Sequence, residues 1–141
     1  FMAQPKGFPE RLLKGHEEFY IRDKLMKQGP GKGGFTEAEI LEYIRVCTSE
    51  NIHGVCEDYR AAFKIDLPMD TADFDAGRKV QPPALVLWGA KSHTSHHHDP
   101  RIEWPKYCEN VVRMVELPCG HYPTEQAPQE TYQELFSFFK N

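Results

Sequence analysis

Long apolar runs, paired cysteines and an excess of basic residues are all wanting in this 141-residue sequence, and each absence closes off a class of function. No stretch approaches the roughly 20 apolar residues that a membrane-spanning helix needs. Seventeen Lys and Arg stand against 21 Asp and Glu, for a formal net charge of −4. That balance leaves no basic face for a phosphate backbone or an anionic membrane surface, so neither nucleic acid nor membrane is expected as a partner. Small neutral or anionic substrates remain open. The four cysteines, Cys47, Cys56, Cys108 and Cys119, form no CxxC spacing and follow no signal peptide, which reads as reduced thiols in a cytoplasmic protein. The glycine-rich stretch GPGKGG, residues 29 to 34, lacks the GxxxxGK[ST] spacing of a phosphate-cradling loop and reads as a connector. What is present is ordinary for a folded domain: 40% hydrophobic and 27% charged residues, in a chain long enough for a sizeable core.

The first part of the chain reads as helix. FMAQPKGFP, residues 1 to 9, is a connecting segment on account of its prolines and glycine, and its opening reads as the continuation of something longer. A short turn around Leu12 and Leu13 precedes a helical run to about Gln28. Thr36 and Glu39 make a capping box for a helix over 36 to 47, with Ile40, Leu41, Ile44 and Cys47 on one face. Ser49 is placed to cap the next helix, in which Ile52, Val55, Cys56, Tyr59 and Phe63 predict one buried stripe. Tyr59 on that stripe is either a core aromatic or a phenol aimed into a pocket. Residues 67 to 83 read as a connector with at most one short helical turn.

After the connector the pattern changes. ALVLWG, 84 to 89, is a continuous apolar run ended by glycine, as in a parallel strand buried on both faces. Residues 90 to 99 read as a polar loop, followed by a short helix from Pro100 that Pro105 should interrupt. VVRMVEL, 111 to 117, is a second strand, and Tyr132, Leu135, Phe136 and Phe139 give the closing helix from Pro128 an apolar face. This strand, helix, strand, loop, helix order predicts a βαβα segment of a parallel sheet. Ligands of such sheets bind beyond the carboxyl ends of the strands. LPCGHYPTEQAP, 117 to 128, falls there: His121 is lifted off a strand end by Gly120 and held before a helix, a suitable setting for a general base.

The order of CEDYRAA at 56 to 62, VLWGAKS at 86 to 92 and LPCGHYPTEQAPQET at 117 to 131 resembles the C-terminal half of an α/β-hydrolase of the haloacetate (fluoroacetate) dehalogenase family. The resemblance covers nearly the whole chain. It implies a partial α/β-hydrolase fold: residues 1–66 as the helical cap region, 67–83 as a connector, and 84–141 as the C-terminal part of the hydrolase core. It implies His121 as the base that activates water and Tyr59 as the cap phenol that hydrogen-bonds the departing halide. The family's aspartate nucleophile, its carboxylate-clamping arginines and the acid that orients the histidine would lie in the earlier half. After VLWG, where many α/β-hydrolases carry the orienting acid, stand Lys91 and Ser92, with no carboxylate before Asp99; haloacetate dehalogenases place that acid one strand earlier. Tyr122, Pro123 and Thr124 depart from the Phe-Leu-Pro often found after the family's histidine. Epoxide hydrolases, which share the Asp–His mechanism, and a non-catalytic remnant or binding module are the other readings.

Three further features carry side chains that could form sites. His93, His96, His97 and His98 are imidazole donors, but consecutive histidines on a loop cannot all converge on one ion, so no metal and no cofactor is expected. Cys119, two residues from His121, is set aside as a nucleophile because catalytic Cys and His normally meet in space and not in sequence. Trp88 lies in a buried apolar run and reads as core. The partners expected are a small-molecule substrate and either the N-terminal half of the hydrolase or a second copy of the chain.

Overall fold

The computed structural model describes residues 1–27 and 34–140, with the side chain of Thr94 left aside. Two compact units emerge, Phe1–Lys24 with Thr36–Gly77 and Leu25–Phe35 with Arg78–Asn141. The glycine-rich connector falls mostly outside the described residues.

The first unit is helical. Helix α1, Phe8–Leu13, starts at Gly7, whose φ of 89° suits glycine and whose N–H donates to Glu10 Oε2 at 2.9 Å. Helix α2 runs Glu17–Lys27 and α3 runs Glu37–Val46. The Thr36–Glu39 capping box forms as the sequence indicated, Thr36 N–H donating to Glu39 Oε2 at 2.6 Å. Helix α4, Ile52–Ala61, follows Asn51, whose side chain makes no capping bond, and Ser49 does not cap it either, since its hydroxyl hydrogen-bonds the Glu17 carboxylate; Thr48 Oγ1 instead accepts from Asn51 N–H at 3.3 Å. Its core face also differs from the expected stripe. Ile52 and Cys56 are fully buried with Met2 and Leu13, and Arg60 continues that line, whereas Tyr59 and Phe63 are 38% and 63% exposed. The register of the face is set by Arg60, which donates to Gln4 O at 2.9 Å and to Glu10 and Glu57 at 2.8 and 2.6 Å. It thereby ties the N-terminal segment to α4.

Residues 67 to 75, read as connector, form helix α5, Leu67–Asp75. Pro68 concealed it. A π-helical stretch, Ala62–Asp66, joins α4 to α5, with Leu67 N–H bonded to Ala62 O. That wider turn accommodates a proline that an uninterrupted α-helix would not.

The second unit holds strands β1, Ala84–Gly89, and β2, Val111–Leu117, paired in parallel with an irregularity between Ala84 and Leu85. Both match the predicted spans. The helix expected from Pro100 is present, but residues 90 to 99, expected as a polar loop, are not all loop. Helix α6, His93–His97, precedes α7, Pro100–Tyr107, which continues through Pro105. Asp99 caps α7 by accepting from Arg101 N–H at 2.9 Å, and the last turn closes with Cys108 N–H on Trp104 O at 3.0 Å. A short helix α8, Pro123–Gln126, follows the His121 loop and leads into α9, Pro128–Lys140.

Leu117, Cys119 and Ala127 form a buried cluster in this unit, with Leu87 and Val115 packed against them. Thr131, buried on α9, donates from its hydroxyl to Pro123 O at 2.9 Å. The stripe of Tyr132, Leu135, Phe136 and Phe139 is exposed, with Phe139 at 78%. The apolar face expected to close the core is therefore turned outward. Among the described residues no helix is long and apolar enough to cross a membrane, and all four cysteines are free thiols.

Candidate active site

His121 sits where the sequence placed it, four residues beyond the end of β2 and two before α8. Its ring is exposed and meets Tyr122 edge to face, with centroids 5.1 Å apart. Tyr122 in turn meets Phe35 at 5.1 Å, also edge to face, so buried Phe35 helps to fix the wall behind the histidine.

Two devices hold the loop, of which the sequence points to Gly89, as the end of the first strand, but not to Gln126. The first is Gln126. Its side-chain carbonyl accepts from Gly120 N–H at 2.8 Å and from Tyr122 N–H at 3.2 Å, one residue to either side of His121. One amide oxygen thus satisfies two backbone donors and fixes the loop's curvature. A glutamine one turn into a helix after a histidine loop is a readable signal, but only once the loop's orphan N–H groups are counted. The second device is Gly89. A Cβ there would lie 1.8 Å from Gly120 O and 2.7 Å from Cys119 O, so only glycine lets the loop lie against the end of β1. Ala90 N–H to Leu117 O and Lys91 N–H to Cys119 O, both 2.9 Å, complete the join.

The rival groups around the loop are occupied otherwise. Cys119 is buried, and burial pushes its thiol up, which disfavours the thiolate that a nucleophile requires. Asp99 spends its carboxylate on capping α7 and faces Arg101 at 3.6 Å. Among the described residues no carboxylate hydrogen-bonds the His121 ring. Trp88 is core, as expected: it is 6% exposed, its indole N–H donates to Glu116 at 3.3 Å, and the Arg101 guanidinium lies 4.6 Å from its ring centre.

Tyr59 belongs to the other unit and is half-exposed on α4. The sequence missed its neighbour. The Lys24 ammonium lies 5.8 Å from the Tyr59 ring centre and 5.6 Å from that of Tyr20. Burial works against the charge of Lys24, but the two phenols outweigh it and its pKa stands above the ordinary lysine value. A phenol beside a retained positive charge is a suitable place for an anion.

No protein-family model matches the chain. A fluoroacetate dehalogenase from Burkholderia sp. is 31% identical over 143 aligned residues, covering the whole of this chain and 46% of the relative. Among solved structures, a Nostoc sp. protein described as an α/β-hydrolase superposes with a TM-score of 0.89 at 39% identity, over 99% of this chain and 47% of that one. A Pseudomonas aeruginosa protein described as an epoxide hydrolase, in a mutant form, gives 0.87 at 30% identity over 99% and 47%. The chain spans slightly under half the length of each of these relatives. With its parallel strand pair and its histidine loop, it is homologous over its whole length to the C-terminal half of α/β-hydrolases of the haloacetate dehalogenase family.

Proposed function

We propose that this chain supplies the general base, His121, and a halide-facing phenol, Tyr59, to a hydrolase that cleaves the carbon–halogen bond of haloacetates. The nucleophilic aspartate comes from the part of the fold that the chain does not span. The carrying observation is the His121 loop. It stands at the carboxyl end of β2, its backbone is clamped on both sides by Gln126, and it lies in a chain alignable throughout with a fluoroacetate dehalogenase.

The chemistry divides into two steps. A carboxylate oxygen attacks the α-carbon, the carbon–halogen bond breaks, and halide leaves with the electron pair. A positioned, desolvated carboxylate makes this displacement effectively unimolecular. Tyr59 O–H donates to the halide as its charge grows, and the adjacent Lys24 ammonium favours the same charge. His121 then takes a proton from water, which attacks the ester carbonyl and frees the hydroxyacid and the aspartate.

The expected partner is that complementary half of the hydrolase. An exposed α9 stripe and a two-stranded sheet with open edges support a need for cover of this kind. An epoxide hydrolase would use the same two steps with a phenol protonating an epoxide oxygen, and the half-exposed Tyr59 suits either role.

In the complete hydrolase, His121→Ala should release halide once per site and then stop, with a covalent ester detectable by mass spectrometry. Normal turnover by that variant would remove His121 from the role of base. Turnover of epoxides without release of halide from haloacetates would favour the second reading.

A further inference from the structure

We propose that His93 and His97 form a surface chelate for a divalent transition-metal ion of the copper and nickel type. As a loop, AKSHTSHHHD could not bring its imidazoles together; as structure, it does. Residues 93 to 97 are helical, so positions four apart share one face. The two rings stand with centroids 4.2 Å apart and planes inclined by 56°. Rings at that separation can each turn one nitrogen to a common ion, bound at about 2.0–2.1 Å. Both are exposed, so an ion keeps its remaining waters and none of its charge has to be buried.

The backbone that carries the pair is fixed in advance. Ser92 is buried and accepts from Ser95 N–H at 3.2 Å, while the Ser95 hydroxyl hydrogen-bonds Ala90 O at 3.0 Å. Preorganisation of this kind lowers the ordering cost of chelation. Two imidazoles with water suit the tetragonal N,O geometry of Cu²⁺ or Ni²⁺, whereas a closed zinc site takes four protein ligands. Cu²⁺, highest in the divalent affinity order, is the probe of choice.

A second cluster, Glu10, His53 and Glu57, has three donors close together. It makes a poorer site, because Arg60 already neutralises both carboxylates at 2.8 and 2.6 Å and an ion would have to displace it.

The test is a Cu²⁺ titration of the 141-residue chain, followed calorimetrically and by electron paramagnetic resonance. Hyperfine structure from two imidazole nitrogens is expected in the unaltered protein. His93→Gln and His97→Gln should each weaken binding roughly tenfold or more and leave one nitrogen, because each removes the intramolecular second ligand. The double variant His96→Gln/His98→Gln should stay within about twofold of the original affinity, since neither ring belongs to the pair. A one-nitrogen signal in the unaltered protein would overturn the proposal without recourse to any variant. Equal losses in the double variant would also overturn it, by showing an unstructured polyhistidine site.

Discussion

Replacing Gly89 by alanine would put a methyl carbon 1.8 Å from Gly120 O. Ordinary contact begins at 3.4 Å, so the loop or the strand end must give by about 1.6 Å. The second neighbour, Cys119 O at 2.7 Å, blocks the same direction. Both obstacles are backbone carbonyls that cannot rotate out of the way, and both strands are anchored by the Gly89↔Leu117 pairing and the two 2.9 Å bonds beyond it. Because Gly89 is not in the positive-φ region, the substitution adds no backbone strain of its own. The contact alone should cost about 1–3 kcal/mol, as overpacking does. In the complete hydrolase a shift of His121 by about 1 Å should lower turnover on the order of 100-fold. Gly54 supplies the control. It lies inside α4 with nothing within 4 Å of a new Cβ, so Gly54→Ala should stabilise by about 0.5–1 kcal/mol. Urea unfolding gives the stabilities, and amide exchange at Lys91 and Gly120 reports the loop. A Gly89→Ala protein with unchanged midpoint and unchanged exchange at those amides would refute the close approach.

Gln126→Ala should leave the Gly120 and Tyr122 N–H groups unsatisfied, costing about 1–3 kcal/mol and speeding their exchange; Gln126→Glu, which keeps an acceptor, should recover most of the protection. The Arg60 guanidinium holds the Glu10 carboxyl at about 2, below its ordinary 4.5. A depressed folded pKa means that this contribution is full above about pH 5 and lost as pH falls through the folded value, so Glu10→Gln should flatten that part of the acid unfolding curve followed by circular dichroism. The isolated chain should self-associate in light scattering and release no fluoride or chloride from haloacetates; a compact, cooperatively melting monomer with activity would contradict the need for a complementary half.

The sequence was legible where a pattern had one physical meaning. ALVLWG is too short and too apolar for anything but a buried strand, and Pro128 with the following periodicity marks α9. Legibility failed where a local breaker was outvoted. Pro68 argued against α5, but the π-helical turn before it absorbs the missing N–H. Pro105 argued for a break in α7, but the helix has only one turn left to run and its end is closed through Cys108. Helix α6 was hidden because Ser and His have little intrinsic helix preference, and its support comes from the Ser92–Ser95 bonds. At the candidate site, His121 was visible because glycine and a strand end announce a lifted loop. Gln126 and Lys24 were not, since their roles depend on contacts that no periodicity encodes.

Which surface asks for a partner follows from the same distinction. A two-stranded sheet by itself is expected to leave Val86, Trp88, Val112 and Met114 partly bare, and on β2 it does: Val112 is 51% exposed and Met114 is half-buried. On β1 Val86 and Trp88 are 6% exposed instead; the Arg101 guanidinium of α7 lies over the Trp88 ring, and Leu87 and Val115 pack against Leu117, Cys119 and Ala127. The β1 faces are thus supplied from within the unit. Among the described residues no third strand pairs with the outer side of β1 or β2, and the apolar stripe of α9 faces outward. On α9 the stacked Tyr132 and Phe136 rings, 5.7 Å apart, continue to Phe139. On the function proposed above, this stripe is the surface that the complementary half of the hydrolase would cover. A further strand beside β1 and a further layer over α9 would meet both demands at once, which is the cover that the unmatched half of the homologous hydrolases has the length to provide.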